Sequence, residues 1–190
     1  ADSPPPAMDR TRRAAGVVDG PAGRRHGQPM KHAAFSARLT RCPIAFDAAA
    51  GADAAQAFAD LAPELRALLA GTAGCSPYLK GLMEREAGWL RAALTAAPET
   101  VLAAELQALD AVALDGLASA LRQAKRRVAL LTALADLGGV WPLEAVTGAL
   151  SRLADRAVDI SLRRSVADEI RRGKLPGQRP EDAETAGGMV

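Results

Sequence analysis

The sequence has 190 residues, of which 49% are hydrophobic, 3% aromatic and 24% charged, with a formal net charge of +2. That length suits one domain with a tail. A core this poor in aromatics has to be built from Leu, Ala and Val, which favours helices and excludes a β-sandwich or barrel, while the near-neutral charge offers no global field to nucleic acid. Residues 1–30 hold Pro4, Pro5, Pro6, Gly16, Gly20, Pro21, Gly23, Gly27 and Pro29 and almost no large apolar side chain. Such a stretch buries too little surface to offset its ordering entropy, so it reads as a disordered arm. Met30 is then either the biological start or the end of a functional basic arm carrying Arg12, Arg13, Arg24 and Arg25.

Residues 31–173 read as a helical domain. Phe35 to Phe46 predicts a short helix and then an extended segment laid on the body. Asp53 to Ala70 predicts a helix, with Phe58, Leu61, Leu65, Leu68 and Leu69 at helical spacing, a break at Pro63 and an end at Gly71 to Gly74. Ser76-Pro77 starts another helix, Ser as N-cap and Pro in the first turn, with a break near Gly88. Pro98-Glu99 opens a helix through Leu109.

Two long helices follow. The first, about Ala113 to Leu137, places Leu114, Leu117, Leu121, Ala124, Val128, Leu131 and Ala135 on one seam and stops at Gly138-Gly139. The second runs from Trp141-Pro142 to about Arg172, with Leu143, Val146, Leu150, Leu153, Ala157 and Ile160 inward and Gly173 at its end. At about 1.5 Å per residue it approaches 45 Å, and the pair forms an antiparallel hairpin. Residues 174–190 return to loop, a linker whose last residues, Met189-Val190 after Gly187-Gly188, read as the opening of a strand. The fold class is therefore all-α: a bundle of short helices plus a long hairpin, with a disordered arm before it and the cut-off start of an α/β domain after it.

Little in the chain carries chemistry. Cys42 and Cys75 stand far apart, neither in a CxxC pair, and read as reduced thiols. His26 and His32 have no second ligand at helical spacing. Acidic residues such as Glu84, Glu86, Asp155 and Asp159 read as scattered on polar faces. No catalytic, cofactor-binding or metal-binding residue is assigned. The feature that stands out is the cluster Arg122, Lys125, Arg126 and Arg127. It reads either as a solvated helix face or as a surface that meets phosphate or an acidic neighbouring domain. Arg163, Arg164, Arg171 and Arg172 are explained by the negative end of the last helix dipole. No stretch approaches the roughly 20 apolar residues of a membrane span, and no secretory signal is visible. No membrane partner is expected, and the cytoplasm is the default location.

Four motifs in order carry a resemblance. They are Gly74-Cys75-Ser76-Pro77-Tyr78-Leu79 with Leu82 and Glu86-Ala87-Gly88-Trp89-Leu90; Ala120 to Val128 through Ala135-Asp136-Leu137; Leu143 to Asp155; and Gly187-Gly188-Met189-Val190. From about residue 35 to 190 the chain resembles bacterial glutamine synthetase adenylyltransferases, in the style of the alphaproteobacterial branch. The resemblance implies a large bifunctional enzyme. One nucleotidyltransferase domain attaches AMP from ATP to a tyrosine of glutamine synthetase, and a second, N-terminal one removes it by phosphorolysis. Mg2+ and ATP are its implied cofactors, and glutamine synthetase and a PII-type regulatory protein its implied partners. The family's catalytic Asp-x-Asp follows the strand that Val190 would begin, and this chain lacks it. No functional residue therefore carries over, and Lys125 to Val128 departs from the family's longer Arg-Arg-Glu run, so no site role is assigned to that helix. The expectation is a helical prelude, inactive alone. A free-standing helical adaptor, whose apolar seams receive a partner helix, is the alternative. A nucleic-acid binder using Arg122 to Arg127 is not expected, because no aromatic interleaves with the cations.

Overall fold

The structure, a computed structural model, describes residues 33–188. The expected arm, His26, His32 and the Met189-Val190 strand start lie outside the described residues. Among the described residues there are seven α-helices and no strand: α1 Ala48–Ala57, α2 Pro63–Cys75, α3 Pro77–Arg85, α4 Ala87–Thr95, α5 Pro98–Ala108, α6 Leu114–Leu137 and α7 Leu143–Arg171. Short 3-10 turns occupy Ser36–Arg38, Leu109–Ala111 and Pro180–Gly188.

Local chemistry sets most boundaries. Pro63, Pro77 and Pro98 each take the first position of a helix, where the missing N–H costs nothing. The Ser76 hydroxyl accepts from the Leu79 amide at 3.2 Å, as the sequence leads one to expect. The Asp47 carboxylate caps α1 through the Ala50 amide at 2.9 Å, so that helix begins five residues before the Asp53 start read from sequence. Both long helices end in the same left-handed turn. Gly139 has φ +64, with the Gly139 and Val140 amides donating to the Asp136 and Ala135 carbonyls. Gly173 has φ +71, with Gly173 and Lys174 bonded to Ile170 and Glu169.

Gly71 and Gly74 do something else. The sequence reads them as terminators, yet α2 continues through both to Cys75. They are buried because the extended segment after Leu39 crosses the helix there. A Cβ on Gly71 would overlap the Pro43 carbonyl, and one on Gly74 would stand 2.6 Å from the Asp47 carbonyl oxygen. The Asp47 amide donates to the Gly74 carbonyl at 2.9 Å, locking the crossing. The apolar side chains of that segment face outward, with Ile44 91% and Phe46 95% exposed. Nearby, Cys42 and Cys75 are free and exposed.

The main core is assembled from α1 to α6 and Ala149 of α7, with Phe35 and Trp141 closing it. The C-terminal half of α6 is its centre: Val128, Leu130, Leu131, Leu134 and Ala135 are all buried, on more than the single seam read from sequence. A second cluster joins Leu109, Leu117 and Ala124 to Ile160 of α7. A third packs Val166 of α7 on Ala183. The hairpin seam is only partly as expected. Ala149 is the fully buried residue of that part of α7, while Leu143 and Leu150 are 68% and 44% exposed. Residues 180–188, read from sequence as loop, coil against the distal part of α7 instead.

Candidate functional site

At 3.6 residues per turn, side chains at 122, 125, 126 and 127 cannot share one face. The structure divides them into two pairs with different work. Arg126 and Arg127 turn inward. Arg126 Nε meets Glu86 Oε1 at 2.7 Å, and Arg127 Nε meets Glu86 Oε2 at 3.0 Å. Arg127 also donates to Glu105 at 3.2 Å and lies over the Trp89 ring, whose indole N–H donates to the same Glu105 oxygen at 2.7 Å. One carboxylate at the α3–α4 break thus ties α6 down, and a second ties α5 to α4.

Glu86 is the residue that sequence reading missed. Its type and spacing read as one more polar-face acid, but its side chain is 4% exposed. Burial pushes its carboxyl up. The hydrogen bonds and charges of Arg126 and Arg127 outweigh that and hold it below the usual range. The signal lay in its register: Leu82 and Leu90, one turn before and after it, are both buried. The helix break falls at Glu86 itself, two residues before the expected Gly88, whose surroundings are open.

A similar clamp holds the Ser36–Arg38 turn. Arg38 grips both Glu99 oxygens at 2.9 and 2.8 Å and donates to the Val140 carbonyl at 3.0 Å, while the Trp141 indole N–H reaches Glu99 at 2.6 Å. Burial raises the Glu99 carboxyl, and the Arg38 and Trp141 hydrogen bonds bring it below its ordinary value.

Arg122 and Lys125 turn the other way. Both are exposed, and neither meets a carboxylate among the described residues. They border a groove of about 420 Å³ between α6 and α7, floored by Leu121, Ala129, Leu150, Leu153, Ala154 and Ala157. This is the open surface of the cluster: an apolar trough with cations along its α6 edge.

A smaller cavity of about 270 Å³ lies where α7 meets the Pro180–Gly188 turn. Its charges are matched. Arg156 pairs with Asp110 and with Asp159 at 2.8 Å; Arg163 pairs with Asp159 at 2.7 Å and Glu184 at 3.4 Å; Arg164 donates to the Asp110 carbonyl at 2.6 Å. Arg163 and Arg164 therefore fasten α7 to its neighbours rather than complementing its dipole. Arg171 and Arg172 do sit at the helix end, paired with the buried Asp168. The carboxylates that come together, Asp110 with Asp159 and Glu86 with Glu105, are each bridged by arginine. No group of three metal-capable side chains converges among the described residues. This donor set does not fit a magnesium-bound nucleotide.

Fold and charge layout thus define an all-helical framework whose ionic groups work as struts and whose open surface is a groove. The glutamate-ammonia ligase adenylyltransferase family profile matches residues 66–189, and the chain belongs to that family. It is 38% identical over 144 residues to a bifunctional glutamine synthetase adenylyltransferase/adenylyl-removing enzyme of Rhodopseudomonas palustris, covering 73% of this chain and 14% of the relative. The Caulobacter vibrioides relative of the same description is 39% identical over 149 residues, 73% of this chain and 15% of its own length. One from Xanthobacter autotrophicus is 34% identical over 159 residues, 82% of this chain and 14% of its own. The chain spans about one seventh of the length of these curated relatives. No solved structure matches it significantly.

Proposed function

We propose that this chain is the N-terminal helical portion of an enzyme that attaches AMP to glutamine synthetase and removes it, and that it supplies framework rather than chemistry. One observation carries the reading: the family match runs through almost all of the described helices while spanning about 14% of the relatives' length. The relatives' names state both activities. ATP and Mg2+ would be used by the rest of the polypeptide, with glutamine synthetase as substrate, a PII-type protein as regulator and the cytoplasm as location. No helix among the described residues is long and apolar enough to cross a membrane.

The chemical argument is one of missing groups. Nucleotidyl transfer depends on positioned phosphates and metal-borne charge stabilisation. Here the carboxylates that come together, Asp110 with Asp159 and Glu86 with Glu105, are bridged by arginine, and no two aspartates stand two apart in the sequence. What the chain does offer is rigidity: a buried glutamate clamp at Glu86 and a half-buried one at Glu99, two glycine-terminated long helices and a glycine-mediated crossing.

The test is transfer of label. The 190-residue chain, incubated with glutamine synthetase, ATP labelled in its α-phosphate and Mg2+, should transfer none, and should release no ADP from the adenylylated target in phosphate. The natural polypeptide that contains the chain should do both. Transfer or release by the chain alone overturns the proposal, as does a stop codon directly after codon 190 in the gene.

A further inference from the structure

One flank of α7, beside the face it turns to the core, carries no charge over five turns. Leu143, Leu150, Ala154, Ala157, Val158 and Ser161 fall within about a third of the helix circumference, a strip of roughly 27 Å at 1.5 Å per residue. Leu143 and Val158 are each 68% exposed. The strip opens on one side into the 420 Å³ groove against α6, where Arg122 and Lys125 stand on the rim without carboxylate partners among the described residues. Beyond it lies a second shallow cleft lined by Ala157, Val158, Ser161, Leu162 and Ser165. No acidic residue lines either hollow.

Exposed leucine and valine at helical spacing beside an apolar groove mark a contact surface. Its dimensions are those of a seat for a third helix alongside an antiparallel pair. Its charge is one-sided: cations edge the α6 wall, and the α7 wall is neutral. We infer that this groove seats an amphipathic helix with carboxylates along the edge that meets Arg122 and Lys125, and that the helix comes from the same polypeptide, outside the present sequence. The source rests on the functional reading above. The relatives extend over about seven times this chain's matched length, so a segment in the same molecule competes at high effective concentration.

Side-chain footprinting with hydroxyl radicals and mass spectrometry reads the surface directly. It is applied to the 190-residue chain and to the natural polypeptide containing it, with glutamine synthetase adenylylation measured on the same preparations. Buried Met83, 1% exposed, serves as the folding control and should stay unmodified in both. Leu143, Leu150 and Val158 should react readily in the short chain and about fivefold or more slowly in the long one, the loss expected when exposed side chains enter an interface. The paired change Arg122→Glu with Lys125→Glu should restore their reactivity in the long polypeptide while Met83 remains protected. Equal reactivity in the two chains overturns the inference. Protection that survives the charge reversal overturns the acidic edge, and protection that develops only after a separate protein is added overturns the intramolecular source. An active polypeptide with an unprotected strip refutes this inference alone; a protected strip in an inactive polypeptide refutes the functional reading alone.

Discussion

Adding one methyl group at different glycines of the helices should have opposite effects, and the structure fixes the sign at each. Gly81 in α3 and Gly148 in α7 lie inside helices, and a Cβ at either meets nothing within 4 Å. Alanine there removes only the conformational freedom of glycine in the unfolded chain, so Gly81→Ala and Gly148→Ala should each stabilise by about 0.5–1 kcal/mol. Gly71 has the same intrinsic gain available, but its Cβ would overlap a backbone carbonyl, that of Pro43, with the Pro43 ring 3.0 Å away. A rotamer change cannot relieve that contact. The crossing segment has to lift, straining the Asp47–Gly74 hydrogen bond and uncovering α2. Overpacking of this kind costs about 1–3 kcal/mol, and the lost hydrogen bond about 1 more, so the net for Gly71→Ala is a loss of about 2 kcal/mol. Urea denaturation of the 190-residue chain, with unchanged slope, measures all three. Gly71→Ala at or above wild-type stability would refute the claim that the 43–47 segment lies on α2, and destabilisation by Gly148→Ala would refute the open surroundings assigned to α7.

Four further outcomes follow from the clamps and surfaces. Glu86→Gln should cost about 2 kcal/mol, because two charge-assisted hydrogen bonds weaken while Arg126 and Arg127 keep partial access to water; a double-mutant cycle with Arg126→Met should show coupling above about 1 kcal/mol. Glu86 and Glu99 are both held below their ordinary value of 4.5, so the stability they add is present above the unfolded carboxylate range and is lost as pH falls through their folded values. The urea midpoint should therefore be nearly level from pH 7 to about 5 and decline in more acid solution, less steeply in Glu86→Gln. Trp141→Phe should lose about 1 kcal/mol by removing one of the donors to Glu99, read as a fall in melting temperature. Val158→Glu should change the stability of the 190-residue chain by less than about 0.5 kcal/mol, whereas Ala149→Leu, at a fully buried contact, should cost more than about 1 kcal/mol.

The elements of this fold were legible wherever a signal was local. Three proline starts, the Ser76 cap and the two glycine stops were readable because each depends on residues within one turn. The even three-four steps of α6 made the hairpin readable too. Tertiary information decided the rest. Gly71 and Gly74 look like terminators until the 43–47 segment is seen to cross them. Leu143 and Leu150 fit an inward seam by period alone, but periodicity marks an apolar face without saying whether the chain supplies its cover. Glu86 was hidden by its type, since a lone carboxylate is usually solvated, although its register with Leu82 and Leu90 placed it indoors. The basic cluster is one unit in sequence and two in space, because consecutive positions on a helix diverge by about 100°.

The length of α7 has a mechanical consequence. Its 29 residues make a rod of about 44 Å, held at its start by the α6 turn and the Trp141 clamp, at its middle by Arg156 on Asp110, and about two thirds of the way along by Arg163 on Glu184. A tilt of about 5° about the first anchorage would sweep the far tip through about 4 Å, by lever geometry on a helix of that length. Whatever is joined to the Gly173 end therefore experiences small rotations near Trp141 as displacements the size of an atom's diameter, without any bend in between.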